Sequence, residues 1–87
     1  PRGALLINED NDRSNPQRMV GMDMDGQCFT FAESNVILNG ERGFTGDYRY
    51  EEWCGVCFSP DGRWLFANCY APGFTVAITG PWERGPL

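Results

Sequence analysis

The sequence contains no histidine and no lysine, and both absences restrict its chemistry. Without histidine, serine–histidine and cysteine–histidine catalysis is excluded, and the commonest transition-metal ligand is missing. All seven basic residues are arginine, and twelve acidic residues leave a net charge of −5. A chain this acidic lacks the positive surface that binds phosphate backbones, so we expect no nucleic-acid partner. Any chemistry must therefore use carboxylates, cysteine, tyrosine, arginine or the backbone.

Long apolar runs are absent as well. No stretch approaches the roughly 20 apolar residues needed to cross a bilayer, so we expect no membrane span. No window of a dozen residues has apolar positions at helical spacing. Eleven glycines and six prolines instead favour short strands and turns. At 87 residues, the chain has room for one small domain or part of a larger one.

Apolar and aromatic segments predict an all-β fold of antiparallel strands. Six strands are predicted, at residues 3–8, 18–23, 27–33, 53–59, 64–70 and 74–79. Asp-Gly pairs predict tight turns at Gly26 and Gly62, because glycine tolerates a positive φ. Residues 34–50 show no sustained period, and we interpret them as an irregular loop or insertion.

A weak internal repeat indicates a β-propeller. "PRGALLI" (1–7) aligns with "PDGRWLF" (60–66) on its Pro, Gly and second Leu. The order of turn glycine, strand, polar loop and strand is typical of four-stranded propeller blades.

The predicted strands then amount to about one and a half blades. Residues 1–26 are expected to end one blade, and residues 27–82 to form the last blade around the 34–50 insertion, followed by an 83–87 tail. Such a set cannot close a ring and exposes a strand edge. We therefore expect a fragment of a propeller, with its remainder or a partner chain covering the open edge.

The cysteines offer a competing interpretation, since Cys54 and Cys57 form a CxxC motif. Strand alternation predicts that these two side chains point to opposite faces, which disfavours a redox pair or a zinc site. We interpret them as small packing residues, with a thiol oxidoreductase as the alternative. A two-residue turn at Asp61–Gly62 would place Cys54 opposite Cys69, which leaves a cross-strand disulfide open.

Acidic residues beside the strand ends suggest a metal site. Glu9 and Asp10 follow one strand, and Glu52 immediately precedes another. In adjacent propeller blades these two loops lie at the same end, so the three carboxylates would converge. Clustered carboxylates suit hard cations such as calcium or ferric iron, although solvated loop acids are the simpler alternative. Asn68, inside an apolar strand, would either cap a loop or support this site.

Three segments resemble the PhoX-type alkaline phosphatases. "PRGALLINED" is similar to the family's "PRGGLLLCED", and "GMDMDGQCFTFAESN" to its "GLTPDGxVFxFARN". "EEWCGVCFSPDGRWLFANCYAPGFTVAITGPW" resembles "SEFAGACFSPDGxTLFVNIQxPGxTxAITGPW". The resemblance implies a six-bladed propeller, exported from the cytoplasm to the periplasm or an equivalent compartment. It also implies phosphomonoester hydrolysis at calcium and iron ions held by carboxylates and a cysteine.

The resemblance assigns the metal ligands to the same acidic residues. Glu9 and Asp10 match the family's Glu-Asp pair, and Glu52 matches the Glu before its Phe-Ala-Gly. Cys54 and Cys57 occupy small-residue positions of the motif. The leading hypothesis is the C-terminal portion of a metal-dependent phosphomonoesterase that is inactive as this fragment alone. The alternative is a propeller-derived structural or interaction subunit with a vestigial metal site.

Overall fold

A computed structural model describes residues 3–9, 14–85 and 87 of the chain. Within these residues it contains eight β-strands, two 3₁₀ turns and no α-helix. The strands are β1 (Leu5–Asn8), β2 (Arg18–Met22), β3 (Cys28–Glu33), β4 (Ile37–Asn39), β5 (Thr45–Asp47), β6 (Trp53–Phe58), β7 (Trp64–Cys69) and β8 (Phe74–Thr79). The 3₁₀ turns cover Glu41–Gly43 and Trp82–Arg84. No helix among the described residues has the length and apolarity needed to cross a bilayer.

The strands form three antiparallel sheets. β1, β2 and β3 make one three-stranded sheet, β6, β7 and β8 make another, and β4 pairs only with β5. All six predicted strands are present within one to two residues of their expected ends. The predicted all-β antiparallel fold is therefore confirmed, and the two three-stranded sheets are consistent with part of a propeller.

Both predicted tight turns are present and are held by aspartate side chains. Asp23 Oδ1 accepts hydrogen bonds from the backbone N–H groups of Asp25 and Gln27, each at 2.9 Å. In the second turn, Asp61 Oδ1 accepts from the Ser59 hydroxyl at 2.6 Å and from the Arg63 N–H at 3.0 Å. Aspartate favours such turns because its short side chain reaches nearby backbone donors.

Residues 34–50 were interpreted as an irregular loop or insertion; the irregular conformation is wrong, and the insertion stays a prediction. They contain the β4–β5 hairpin, whose tip is the Glu41–Gly43 turn. Gln17, which is 1% exposed, joins the two ends of this segment. Its carbonyl accepts from Ser34 N and its N–H donates to Arg49 O, both at 2.9 Å. The segment therefore leaves the first sheet and returns to it at one point. Its three-residue strands are too short to show a period.

β3 completes the first sheet. It pairs with β2 along Arg18–Met22, as expected for two strands joined by the predicted tight turn at Gly26. A bulge between Met19 and Val20 shifts that register. The short connection across the turn at Gly26 favours this local hairpin. The division of the chain between blades of a complete propeller stays a prediction.

The core lies between the two three-stranded sheets. Met19 of the first sheet is buried together with Trp53, Ala67 and Cys69 of the second. Leu6, Phe31, Ala32, Val56, Phe74, Val76 and Ile78 pack around them. Burying a large apolar side chain contributes roughly 1.5–3 kcal/mol, so this cluster is what holds the two sheets together. It also brings β1 against β6, the strands that flank the predicted metal ligands.

The outer faces of the two sheets remain open. On the first sheet Leu5 and Ile7 are exposed, and on the second Trp64 and Phe66 are exposed. Trp82 closes the end of the core, stacking on Phe31 with ring centroids 6.0 Å apart. Trp53, Phe31 and Phe74 thus belong to the core, whereas Trp64 and Phe66 are not covered by the described part of the chain.

Candidate functional site

Glu9 lies directly after β1 and is held by Arg18, the first residue of β2. Its backbone N–H donates to Arg18 O at 3.0 Å. Arg18 Nε and Nη2 donate to the two carboxylate oxygens at 2.9 and 2.6 Å. Arg18 Nη1 also donates to Thr30 Oγ1 on β3 at 3.1 Å. Arg18 thus fixes the Glu9 carboxylate in place through a bidentate pair. Its third hydrogen bond, to Thr30, extends this network to β3.

The ion pair between Arg18 and Glu9 also determines the charge distribution at the end of β1. The hydrogen bonds to Glu9 and its charge raise the pKa of Arg18, and the charge of Glu33 raises it further. A groove of about 420 Å³ opens here, lined by Glu9, Asn15, Pro16, Arg18, Thr30 and Glu33. Arg18 is partly exposed and stays cationic, so the groove combines one positive group with two carboxylates.

Glu52 lies at the start of β6. Its carbonyl accepts a hydrogen bond from Tyr70 N at 2.8 Å, which ties the entry of β6 to the exit of β7. The side chain is half-buried. Asp10, the third predicted ligand, lies outside the described residues. Within residues 3–9, 14–85 and 87, no group of three or more Cys, Asp or Glu side chains is close enough to hold a metal ion. The set of Glu9, Asp10 and Glu52 therefore stays a prediction.

Two buried polar atoms beside the predicted ligands were missed at the level of sequence. Asn8 Oδ1 and Trp53 Nε1 are buried and have no hydrogen-bond partner in the described part of the chain. Asn8 immediately precedes Glu9, and Trp53 immediately follows Glu52. In the sequence, the one sign of a buried polar group here was Asn8 itself, the single polar residue that ends the apolar run "ALLIN". A carboxamide oxygen is among the ligands that calcium accepts, but the described residues place no set of three carboxylates or thiols around it.

The cysteines are arranged differently from the prediction. Near the turn the register is that of a two-residue loop, with Cys57 opposite Phe66. A bulge between Cys54 and Cys57 then shifts it, so that Cys54 lies opposite Asn68. Phe66 and Asn68 share a face because they are two residues apart in a strand. Cys54 and Cys57 therefore also share one face, and the predicted opposite orientation is wrong.

Gly55 is the residue that makes this bulge. Its φ is +65°, a left-handed conformation that glycine adopts without strain. A Cβ at this position would lie 2.5 Å from Asn68 Nδ2. Asn68 Oδ1 in turn accepts a hydrogen bond from the Thr75 hydroxyl at 2.6 Å. Asn68 thus links β6, β7 and β8, which is a structural role.

The disulfide left open between Cys54 and Cys69 does not form, because all four cysteines are free thiols. Trp53, rather than Cys54, lies opposite Cys69. Cys69 is buried, and its thiol donates to Ala71 O at 3.0 Å. Burial raises the pKa of the Cys69 thiol, so it is a poor nucleophile.

A second groove lies at the tip of the β4–β5 hairpin. It has a volume of about 690 Å³ and lies between the hairpin tip and the β7–β8 turn. Its lining combines apolar and charged side chains from the two elements, namely Leu38, Glu41, Arg42, Phe44, Pro72, Gly73, Phe74 and Thr75. The Glu52 carbonyl pairs with the exit of β7, so this groove opens at the same end of the sheet as Glu52.

Comparison with known proteins gives one family. The model of the family described as alkaline phosphatase PhoX matches residues 1–73, which include all three predicted metal ligands. No curated protein and no solved structure matches the chain. Since the family model covers most of the sequence, the chain belongs to the PhoX alkaline phosphatase family.

Proposed function

We propose that this chain is the C-terminal portion of a metal-dependent phosphomonoesterase of the PhoX family. The observation that carries the proposal is the family match over residues 1–73, which contains Glu9, Asp10 and Glu52. We expect activity only in a complete six-bladed propeller, and none from these 87 residues alone. The resemblance to exported phosphatases further suggests a periplasmic or equivalent location.

The proposed roles follow from the chemistry of the side chains. Glu9, Asp10 and Glu52 would hold calcium and iron, because anionic oxygen ligands suit hard cations. When bound, such cations supply charge stabilisation to the phosphoryl oxygens of a phosphomonoester. Arg18 supports this assignment in one respect, since its bidentate pair holds the Glu9 carboxylate in a fixed orientation.

The open sheet faces support the need for further blades. Leu5 is 60% exposed on the first sheet, and Trp64 is 42% exposed on the second. In a propeller each sheet is covered on both faces by its neighbours, so both faces would be buried in the closed ring. We therefore propose that the remainder of the propeller, or a partner chain in its place, covers them.

One observation favours the alternative function. Both oxygens of Glu9 are already bonded to Arg18, as in a structural ion pair. A propeller-derived interaction subunit with a vestigial metal site would retain such a pair and the same strands. The two functions differ in whether the protein holds metal.

The test uses the full-length natural protein that contains this sequence. Its calcium and iron content is measured, together with its activity on p-nitrophenyl phosphate. Glu52→Gln is expected to lower the metal content and reduce kcat by at least about 100-fold, the scale of losing the electrostatic stabilisation that the bound cation would give the transition state. The matched control is Glu83→Gln, because Glu83 lines a groove with Arg63 and Trp64 at the opposite end of the sheet. Unchanged activity in Glu52→Gln would reject the ligand assignment, and absence of both metal and turnover in the wild type would favour the interaction subunit.

A further inference from the structure

The groove between the β4–β5 hairpin tip and the β7–β8 turn contains none of the predicted metal ligands. Its volume of about 690 Å³ lies in the range of sites that bind small molecules. The hairpin tip forms one wall, and the β7–β8 turn with the start of β8 forms the other. Half of its lining residues are apolar, namely Leu38, Phe44, Pro72 and Phe74. A concave site with apolar walls and a few polar groups is the usual form of a site for an organic molecule.

The apolar walls of this groove are only partly covered by the chain itself. Phe44 is 41% exposed at the hairpin tip. Across the groove, Phe74 is half-buried and packs against the core cluster, so that wall is firmly anchored. A flat apolar group bound between the two walls would cover both phenyl rings. Such an arrangement suits an aromatic ring, because rings pack well edge-on or offset against one another.

Arg42 adds a positive charge to the hairpin wall. It is exposed and has no hydrogen-bond or ion-pair partner in the described part of the chain. The carboxylate of Glu41, also in the lining, is directed to the hairpin backbone, where it accepts a hydrogen bond from Asn39 N. Arg42 has φ +52°, between the positive φ values of Gly40 and Gly43, and glycine would adopt this conformation at lower cost. The charge that lacks a partner in the groove is therefore positive, and it complements an anionic group.

The groove opens at the end of the second sheet where Glu52 lies. Tyr70 N donates to Glu52 O at 2.8 Å, at the exit of β7. Pro72 and Gly73, in the turn that follows, line the groove. A phosphomonoester with its phosphoryl group at the proposed metal site would therefore have this groove available for its alcohol portion.

We propose that this groove binds the alcohol portion of the substrate, and that the preferred substrates are aromatic phosphomonoesters with an anionic substituent. Phe44 and Phe74 would contact the ring, and Arg42 would pair with the substituent. This inference rests on the proposed function, since it names the substrate class of the same site. It does not depend on which residues hold the metal.

The experiment compares phenyl phosphate, 4-carboxyphenyl phosphate and glycerol 2-phosphate as substrates of the full-length protein. Phe44→Ala is expected to lower kcat/KM for phenyl phosphate roughly three- to tenfold, the effect of losing one ring contact, and to leave glycerol 2-phosphate unchanged. Arg42→Gln is expected to lower kcat/KM for 4-carboxyphenyl phosphate roughly two- to fivefold, the scale of a partly exposed ion pair, and to leave phenyl phosphate unchanged. Each variant is compared with the wild type on the same substrate, so differences in leaving-group reactivity cancel.

Two control variants match these substitutions. Ile37→Ala removes an apolar side chain that is 55% exposed on the same hairpin but is not in the groove lining. Arg63→Gln removes an exposed arginine at the opposite end of the sheet. Both are expected to leave kcat/KM unchanged on all three substrates. Phe44→Tyr, which keeps the ring, is expected to retain the wild-type value for phenyl phosphate.

Salt gives a second readout that a merely structural role would not change. Ion pairs at exposed sites are screened by salt, whereas ring contacts are not. Raising the salt concentration is therefore expected to reduce the difference between Arg42→Gln and the wild type on 4-carboxyphenyl phosphate. The difference between Phe44→Ala and the wild type on phenyl phosphate should persist.

The outcomes separate this inference from the proposed function. Absence of turnover on every substrate in the wild type overturns both. Turnover in the wild type, with kcat/KM in Phe44→Ala and Arg42→Gln unchanged or lowered equally on all three substrates, overturns this inference and leaves the phosphatase function in place. The groove would then be covered by the rest of the propeller rather than by substrate. Selective losses in the two variants, with both controls unchanged, support the inference.

Discussion

Replacing Gly55 with alanine tests whether the bulge in β6 depends on this one residue. Gly55 has φ +65°, and an alanine in the left-handed region costs roughly 1–2 kcal/mol. The added Cβ would also lie 2.5 Å from Asn68 Nδ2, closer than any real contact. Asn68 must then move, and its 2.6 Å hydrogen bond from Thr75 is lost, at about 0.5–1.5 kcal/mol. The expected total loss in the free energy of unfolding is about 1.5–3.5 kcal/mol.

Gly62→Ala is the matched control for this prediction. Gly62 has nearly the same dihedral, φ +72°, but a Cβ added there would have no atom within 4 Å. It should therefore show the backbone cost alone, roughly 1–2 kcal/mol. The difference between the two variants isolates the Asn68 contact. Thermal or urea unfolding of both variants measures it, since 1 kcal/mol corresponds to roughly 4–8 °C in a domain of this size.

A double variant decides what the difference means. In Gly55→Ala/Asn68→Ala the clash is absent, so the additional cost of Gly55→Ala in that background should fall to the Gly62→Ala value. If Gly55→Ala and Gly62→Ala destabilise equally in the wild-type background, the Asn68 contact has no energetic weight. The close approach of Asn68 to Gly55 would then not be what requires glycine in the bulge, and the reasoning would be refuted.

Two further predictions concern cysteine reactivity and pH. Cys69 is buried, and burial raises the pKa of its thiol, so it should react with a thiol reagent far more slowly than the exposed Cys57. Mass spectrometry of the folded protein during the reaction measures both rates. Equal rates would contradict the burial of Cys69. The hydrogen bond from the Ser59 hydroxyl lowers the pKa of Asp61, so its stabilising effect is present above the ordinary aspartate pKa, about 3.9, and is lost as pH falls through the lower folded value. Asp61→Asn should therefore be less stable than the wild type at neutral pH, and the gap measured by thermal unfolding should narrow below about pH 4; a gap independent of pH would contradict it.

The sequence predicted the strands well because their signal is local. Apolar alternation and Asp-Gly turns mark six strands, and all six form. The β4–β5 hairpin was not predictable in this way, since its three-residue strands carry too few positions for a period. Its anchor, Gln17, is a buried polar residue whose partners Ser34 and Arg49 are distant in sequence. Contacts of this kind depend on the tertiary fold and have no local pattern.

The sequence did contain a signal for the orientation of Cys54 and Cys57, but the assumption of a regular strand was given more weight. A glycine inside a strand often marks a bulge, and Gly55 lies between Cys54 and Cys57. The prediction assumed a regular strand from Cys54 to Cys57, in which side chains three residues apart point to opposite faces. One inserted residue reverses that result for every position before it, because a shift of one exchanges the two faces of a strand. The turn at Gly62 correctly fixed the register only as far as Cys57.

The same alternation, applied to β1, bears on the candidate metal site. Leu6 packs into the core, so Asn8 must face the core and Glu9 must face away, where Arg18 meets it across the strand pair. Sequence alone placed Glu9 and Glu52 at one end of the sheets, but it could not show which side chain turns toward the seam between β1 and β6. That depends on which face the neighbouring sheet covers. Glu9 is thus held by Arg18 on the outer face of the first sheet, and its convergence with Glu52 on one cation stays a prediction.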